Sequence, residues 1–258
     1  MIAEVAAGAA WLLVLAAAAV RSGAGRGPSP TALPLLSPVE VGLLRAGHRG
    51  AAQTALVELY LAGSVEAASR QTVRRDDTRA PKGLSGPARA QYAVLYGRLH
   101  PRRLQGLDRV RRAVADVSRD LETSRLVLPT RRLYAVRALS LAALCAVPVG
   151  AIAGRAAAPW LFLALLADAV AVWLCALPRR TRRGAALLAR LRRERADVRR
   201  ASEREPEELL LSIALFGASA LRAQLPGFTA ASGLLTRPPR EPMDRGGGSA
   251  ETVASCGG

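Results

Sequence analysis

LSPVEVGLLRAGHRGAAQTALVELYLAGSVEA, Leu36 to Ala67, opens like a helix of a compact domain, and its capping chemistry fixes where that helix begins. Ser37, Pro38 and Glu40 fall at the N-cap, N1 and N3 positions. There the hydroxyl and the carboxylate satisfy backbone N–H groups that the first turn leaves without intrahelical acceptors. Gly47 is a normal C-terminal stop. A second helix is predicted from Gly50 to Ala62, with Ala52, Ala55, Leu56 and Leu59 on one face at helical spacing. Gly63 ends it, and SVEAASRQTV reads as a short extended segment, half of a small hairpin.

A weaker form of this grammar recurs downstream. A helix from Gly86 to Leu99, a break at His100 and Pro101, a helix from Leu104 to Thr123 and the apolar stretch RLVLP (Arg125 to Pro129) repeat the order of helices closed by a short strand. That order is what a winged-helix-like domain would show. Residues 36–130 are therefore expected to form a small helical soluble domain. The Gly- and Pro-rich segment 22–35 before it reads as a tether.

Three apolar runs frame this domain. Ile2 to Val20, interrupted only by Glu4, has the length of a bilayer-spanning helix, giving an N-terminal transmembrane segment at 1–21. A signal peptide cleaved after AAAAV is the alternative, although the usual basic n-region is missing. Ala138 to Gly154 and Ala156 to Leu177 are separated by little more than Arg155 and predict a transmembrane hairpin over 138–177. Arg131, Arg132, Arg137, Arg179, Arg180, Arg182 and Arg183 flank that pair, against Arg155 alone at its tip. The positive-inside rule then places both ends in the cytoplasm, with Trp160 and Trp173 as interfacial anchors. The expected fold class is mainly α: an integral membrane protein with about three transmembrane helices and a small helical, winged-helix-like soluble domain. The soluble domain and C-terminal tail are expected on the cytoplasmic face of the cell membrane.

The region 178–236 reads as juxtamembrane helices. GAALLARLRRERADVRR (Gly184 to Arg200) is amphipathic and basic, and two readings stand side by side: a helix in an anionic headgroup layer, or one packed on the soluble domain. LLLSIALFGASAL (Leu209 to Leu221) is too short to span and predicts a buried or interfacial helix. Beyond it, 237–258 reads as a disordered Gly-rich tail.

The formal charge of +17 points to nucleic acid or an anionic surface, yet Lys82 is the only lysine among 37 basic residues. Codon bias of a GC-rich genome produces that imbalance as readily as selection for basicity. Only the position of the charges is then informative, above all the cluster Arg179, Arg180, Arg182 and Arg183. Cys145, Cys175 and Cys256 are too scattered for a disulfide framework or zinc site, and His48 and His100 read as lone surface histidines. The Asp76 and Asp77 pair reads as a solvated turn. No P-loop, GxSxG, HExxH or Rossmann spacing occurs, so no catalytic, cofactor-binding or metal-binding residue is assigned and no enzymatic activity is expected. The one intramembrane polar candidate is Asp168, near the middle of the third run. A relay or partner-helix contact is its functional reading, and a protonated carboxyl tucked against Ser140 its structural one.

The opening stretch resembles a family of uncharacterised actinobacterial membrane proteins with an LSP-x-E-x-x-x-L-x-x-G-x-R module and a following helix ending L-x-x-x-G-x-[VL]. The resemblance implies two apolar helices and an R-T-x-x-G-x-x-L-L-x-x-L motif, here Arg180, Thr181, Gly184, Leu187, Leu188 and Leu191. It further implies an A-L-F-G motif, here Ala214 to Gly217, and a Gly-rich tail, often Cys-rich, here RGGGSAETVASCGG with Cys256 alone. It implies architecture and no chemistry. The expected function is a membrane-anchored scaffold or interaction protein, with the lipid bilayer, anionic lipid included, and a protein as partners. The alternative is a membrane-tethered nucleic-acid binder using Arg70, Arg74, Arg75, Arg109, Arg111 and Arg112.

Overall fold

The capping box forms as the sequence reads. In the computed structural model the Ser37 backbone N–H donates to Glu40 Oε2 at 2.6 Å, and the Glu40 N–H donates to Ser37 Oγ at 3.4 Å. Residues 2–22, 36–76, 83–153, 162, 165–167, 169–172, 180–195 and 205–236 are described. Helix α1 (Ile2–Ser22) precedes α2 (Pro38–Leu61), which bends at Ala46 and Gly47, where φ reaches +62° at the glycine. The predicted stop is thus a kink between two arms. The second arm is buried nearly all round from Gly50 to Val57, as suits the central helix of a domain.

The extended segment is a whole hairpin. Strands β1 (Val65–Ala68) and β2 (Thr72–Arg75) pair antiparallel, in register from Val65 opposite Arg75 to Ala68 opposite Thr72. Val73 and Leu99 exchange both backbone hydrogen bonds, at 2.9 and 3.0 Å, which draws the 95–98 loop alongside β2. Helix α3 (Gly86–Val94) is shorter than the predicted span to Leu99, because the chain turns out of helical geometry at Leu95. Its N-terminus is fixed by Glu58, whose carboxylate accepts from the Ser85 N–H and hydroxyl at 2.7 and 2.6 Å. The helix expected over 104–123 is two, α4 (Pro101–Gly106) and α5 (Asp108–Thr123), parted by extended backbone at Leu107. In the second repeat the expected strand is a single bridge, Val127 to Arg180.

Helix α6 (Thr130–Ala153) follows, then α7 (Arg182–Glu194), α8 (Pro206–Phe216), α9 (Ala218–Gln224) and α10 (Pro226–Ser232). These last four pack on the domain that begins at Leu36. Leu187, Leu210, Ile213, Ala220, Leu221, Phe228 and Leu234 share one apolar cluster with Leu56, Leu59, Val73 and Val114. Leu188, Ala214 and Leu215 close around Val41. Of the two readings of the basic amphipathic helix, packing on the domain is the one its buried leucines support. The ring of Tyr60 stacks on Phe228 with centroids 3.9 Å apart, joining α2 to α10. A separate small cluster forms where Val14 and Ala17 of α1 meet Val136 of α6 with Ala167 and Ala171.

Among the described residues no helix is long and apolar enough to cross a membrane. The mainly helical class holds, but the expectation of an integral membrane protein with about three transmembrane helices is overturned. The residue types give a physical reason. Leu, Ile, Phe and Val drive insertion, whereas nine of the 21 residues of α1 are alanine and Glu4 stands in its first turn. Helix α6 starts with Arg131, Arg132 and Arg137, leaving only the 16 residues from Ala138 to Ala153, with Pro148 among them. A span needs about 20 apolar residues.

Candidate functional site

The kink in α2 is also where a cleft opens. Leu43, Leu44, Val114 and Val127 give it an apolar floor, and Arg45, His48, Arg119 and Arg180 bring positive or titratable groups to its edge, around a volume of about 670 Å³. Glu122 is the one acidic residue lining it, and its carboxylate accepts a hydrogen bond from Thr130 Oγ1 at 3.0 Å. Tyr134, on the first turns of α6, stands 66 % exposed at the cleft.

Each wall has a local cause. Arg45 ends the first arm of α2, where its Nε donates to the Ala214 carbonyl at 2.7 Å. Arg192 donates to the neighbouring Leu215 carbonyl from Nε and Nη2, at 3.2 and 3.1 Å. Two guanidinium groups therefore sit at the C-terminus of α8, the end that carries partial negative charge. Burial first, then the charges of Arg192 and Arg49, lower the Arg45 pKa from its ordinary value. Gly217, with φ +64°, caps α8 at a spot where a Cβ would collide with the Arg45 guanidinium. The A-L-F-G stretch thus seats Arg45 through the Ala214 carbonyl and the bare Gly217, and holds Arg192 through the Leu215 carbonyl.

The opposite wall is held by Thr181. Its Oγ1 donates to the Arg125 and Leu126 carbonyls at 3.0 Å each and accepts from the Gly184 N–H at 3.2 Å, capping α7. Gly184 lies so close to the Leu126 carbonyl that a Cβ there would overlap it. Arg180 is thereby carried to the cleft edge by the bridge to Val127.

Of the residues singled out from sequence, Arg180 lines the cleft, Arg182 is exposed and Arg183 half-buried. Arg179, Asp168, Arg155, Trp160, Trp173, Asp77, Cys175 and Cys256 lie outside the described residues, as do nearly all of the expected tether at 22–35, most of the third apolar run, the expected tail at 237–258 and the side chain of Cys145. The side chain of His48 keeps much of its surface open to solvent, and partial desolvation by the atoms around it, then the charge of Arg111, push its pKa down. His100 departs from expectation: it is buried, and its Nδ1 accepts from the Arg102 N–H as the N-cap of α4. Burial, then Arg102 and Arg103, lower its pKa too. Sequence reading missed Arg45, Arg119, Glu122 and Tyr134, because an arginine on an amphipathic helix looks the same whether it faces solvent or a cleft. The arginines considered for nucleic acid divide between two elements. Arg74 pairs with Glu66 on the hairpin and Arg75 lies 4.0 Å over the Tyr92 ring. On α5, Arg111 faces the Asp108 carboxylate at 3.6 Å and Arg112 donates to the Asp108 carbonyl at 3.4 Å.

Among the described residues no group of three or more His, Cys, Asp or Glu is placed to hold a metal ion. No protein-family model, no curated protein and no solved structure matches the chain.

Proposed function

We propose that this chain is a non-enzymatic interaction protein whose helical domain captures a segment of a partner protein in the cleft at the α2 kink. The supporting observation is the pairing of an apolar floor, Leu43, Leu44, Val114 and Val127, with a rim of Arg45, His48, Arg119 and Arg180. An aliphatic side chain buried on that floor and a carboxylate at the rim would each find a complementary surface. The Arg119 ion pair with Asp116 is solvent-exposed, so its exchange for a partner's carboxylate costs little. The walls rest on buried elements, so the cleft needs little reorganisation to accept a ligand.

Panning a displayed random-peptide library on the purified full chain tests this reading. Enriched peptides should combine acidic and aliphatic residues, and the double variant R119E/R180E should weaken them about tenfold or more. Peptides that bind Ser118→Trp, which fills the cleft, as tightly as the original chain would show that recognition lies elsewhere.

A further inference from the structure

The β-hairpin carries a second surface, independent of the cleft. Leu95 is fully buried and Leu99 is tied to Val73, so the three residues between them are pushed outward beside β2. Tyr96, 86 % exposed, is the most exposed of the large hydrophobic side chains among the described residues. Arg74, Arg75 and Arg98 surround it in a shallow recess of about 340 Å³ with Leu95 and Gly97. No carboxylate lines that recess.

We propose that this recess binds single-stranded nucleic acid, with Tyr96 stacking on one base and Arg74 and Arg98 holding the flanking phosphates. A base can lie on an aromatic ring only where its own face is open, which favours a single strand over a duplex. The volume lies at the lower edge of the roughly 300–1,000 Å³ range of small-ligand sites, room for a nucleotide-sized group. Arg98 donates from Nη1 to Ser69 Oγ at 3.1 Å, which orients its planar fork. Arg74 faces Glu66 in an exposed pair, a weak contact that a phosphate can replace. Arg75 is stacked on Tyr92 and lends fixed positive charge.

Gly97 gives a second line of argument. Its φ lies outside the left-handed region and no atom comes within 4 Å of where a Cβ would stand, so neither backbone geometry nor internal packing requires glycine there. A glycine beside an exposed ring and three guanidinium groups lets a ligand approach the main chain closely.

The test is fluorescence anisotropy of the full-length chain with a labelled oligothymidylate of about 15 nucleotides, near the upper end of single-fold site sizes. Because the chain carries +17, binding alone is not diagnostic. Tyr96→Ala should lower affinity about tenfold without changing the salt slope, while Tyr96→Phe retains it. Arg98→Ala should reduce the slope of log affinity against log salt by about 0.7. Arg222→Ala, on an exposed face of α9, should leave affinity and slope closer to those of the original chain than Arg98→Ala does. Any of three results overturns the proposal: no anisotropy change at low salt, equal affinity for the matching duplex or for polyglutamate, or no effect of Tyr96→Ala. None of them bears on peptide capture in the cleft, which is read with a different probe and different variants.

Discussion

The runs Leu209–Leu221 and Ile2–Val20 are both aliphatic, and the molecule treats them in opposite ways. In the first, Ile213, Ala214, Leu215 and Leu221 are at most 1 % exposed, covered by α2 and α7 and continuous with the main core. In the second, Leu12 and Leu15 are 69 % and 59 % exposed, and of the described side chains of α1 only Val14 and Ala17 are buried. Among the described side chains, the apolar contact of α1 with α6 buries only Val14, Ala17 and Val136 fully, so it removes little apolar area from water, and area is what stabilises. Apolar content therefore does not tell which helix belongs to the core. Branched side chains meeting a shaped partner do.

Substitutions can break this contrast. The largest effect is expected for Ile213→Ala or Leu221→Ala, each losing about 2–5 kcal/mol in urea unfolding monitored by circular dichroism, since each empties a fully buried site. A loss below about 1 kcal/mol would mean that α8 and α9 do not share the core. Next comes Gly217→Ala, where a positive φ and the Arg45 guanidinium both oppose a side chain, with a cost of about 1–3 kcal/mol. Arg45→Ala relieves the collision, so the double variant should lose less than the sum of the two single losses; strict additivity would separate the two sites. Thr181→Ala should cost about 0.5–2 kcal/mol by removing the cap of α7, with Thr181→Ser restoring most of it.

A smaller effect comes from pH. Burial and two neighbouring arginines hold His100 below the ordinary histidine range, so near and below about pH 6.5 the unfolded chain takes up a proton that the folded chain refuses. This contribution is complete above that value and falls as the pH drops towards the lowered folded pKa. The urea midpoint should decline between about pH 7.5 and 5.5, and His100→Asn, which keeps an acceptor at the N-cap of α4, should reduce the decline. His48 shifts in the same direction and leaves a residual slope. The smallest effect closes the comparison: Leu12→Ala should change stability by no more than about 0.5 kcal/mol.

Much of the local structure could be read from residues alone. Ser37 and Glu40 announce a helix start because the cap is a chemistry of neighbours three residues apart. Gly63 marks the end of α2 and Gly47 a kink within it, both because glycine takes a positive φ without a Cβ penalty. The site was less legible. Arg45 meets Ala214 across 169 positions of sequence, and no periodicity encodes that meeting. The R-T-x-x-G pattern was visible, but only the fold shows that Thr181 and Gly184 press against Leu126. Among the described residues the membrane reading is corrected by an alanine-rich α1 and by an α6 with only the 16 residues from Ala138 to Ala153 clear of arginine, while most of 156–177 lies outside the described residues.

From the residues alone follow a mainly helical chain, the capped start at Ser37, the glycine stop at Gly63 and an extended segment after it. Short-range hydrogen bonding and steric limits set all of these within a few residues. It took the packed chain to show that α7 to α10 complete the domain begun at Leu36, that a cleft opens at the α2 kink, and that Tyr96 stands among three arginines. Those features depend on which surfaces meet, and residues distant along the chain meet through the shape and buried area of whole elements.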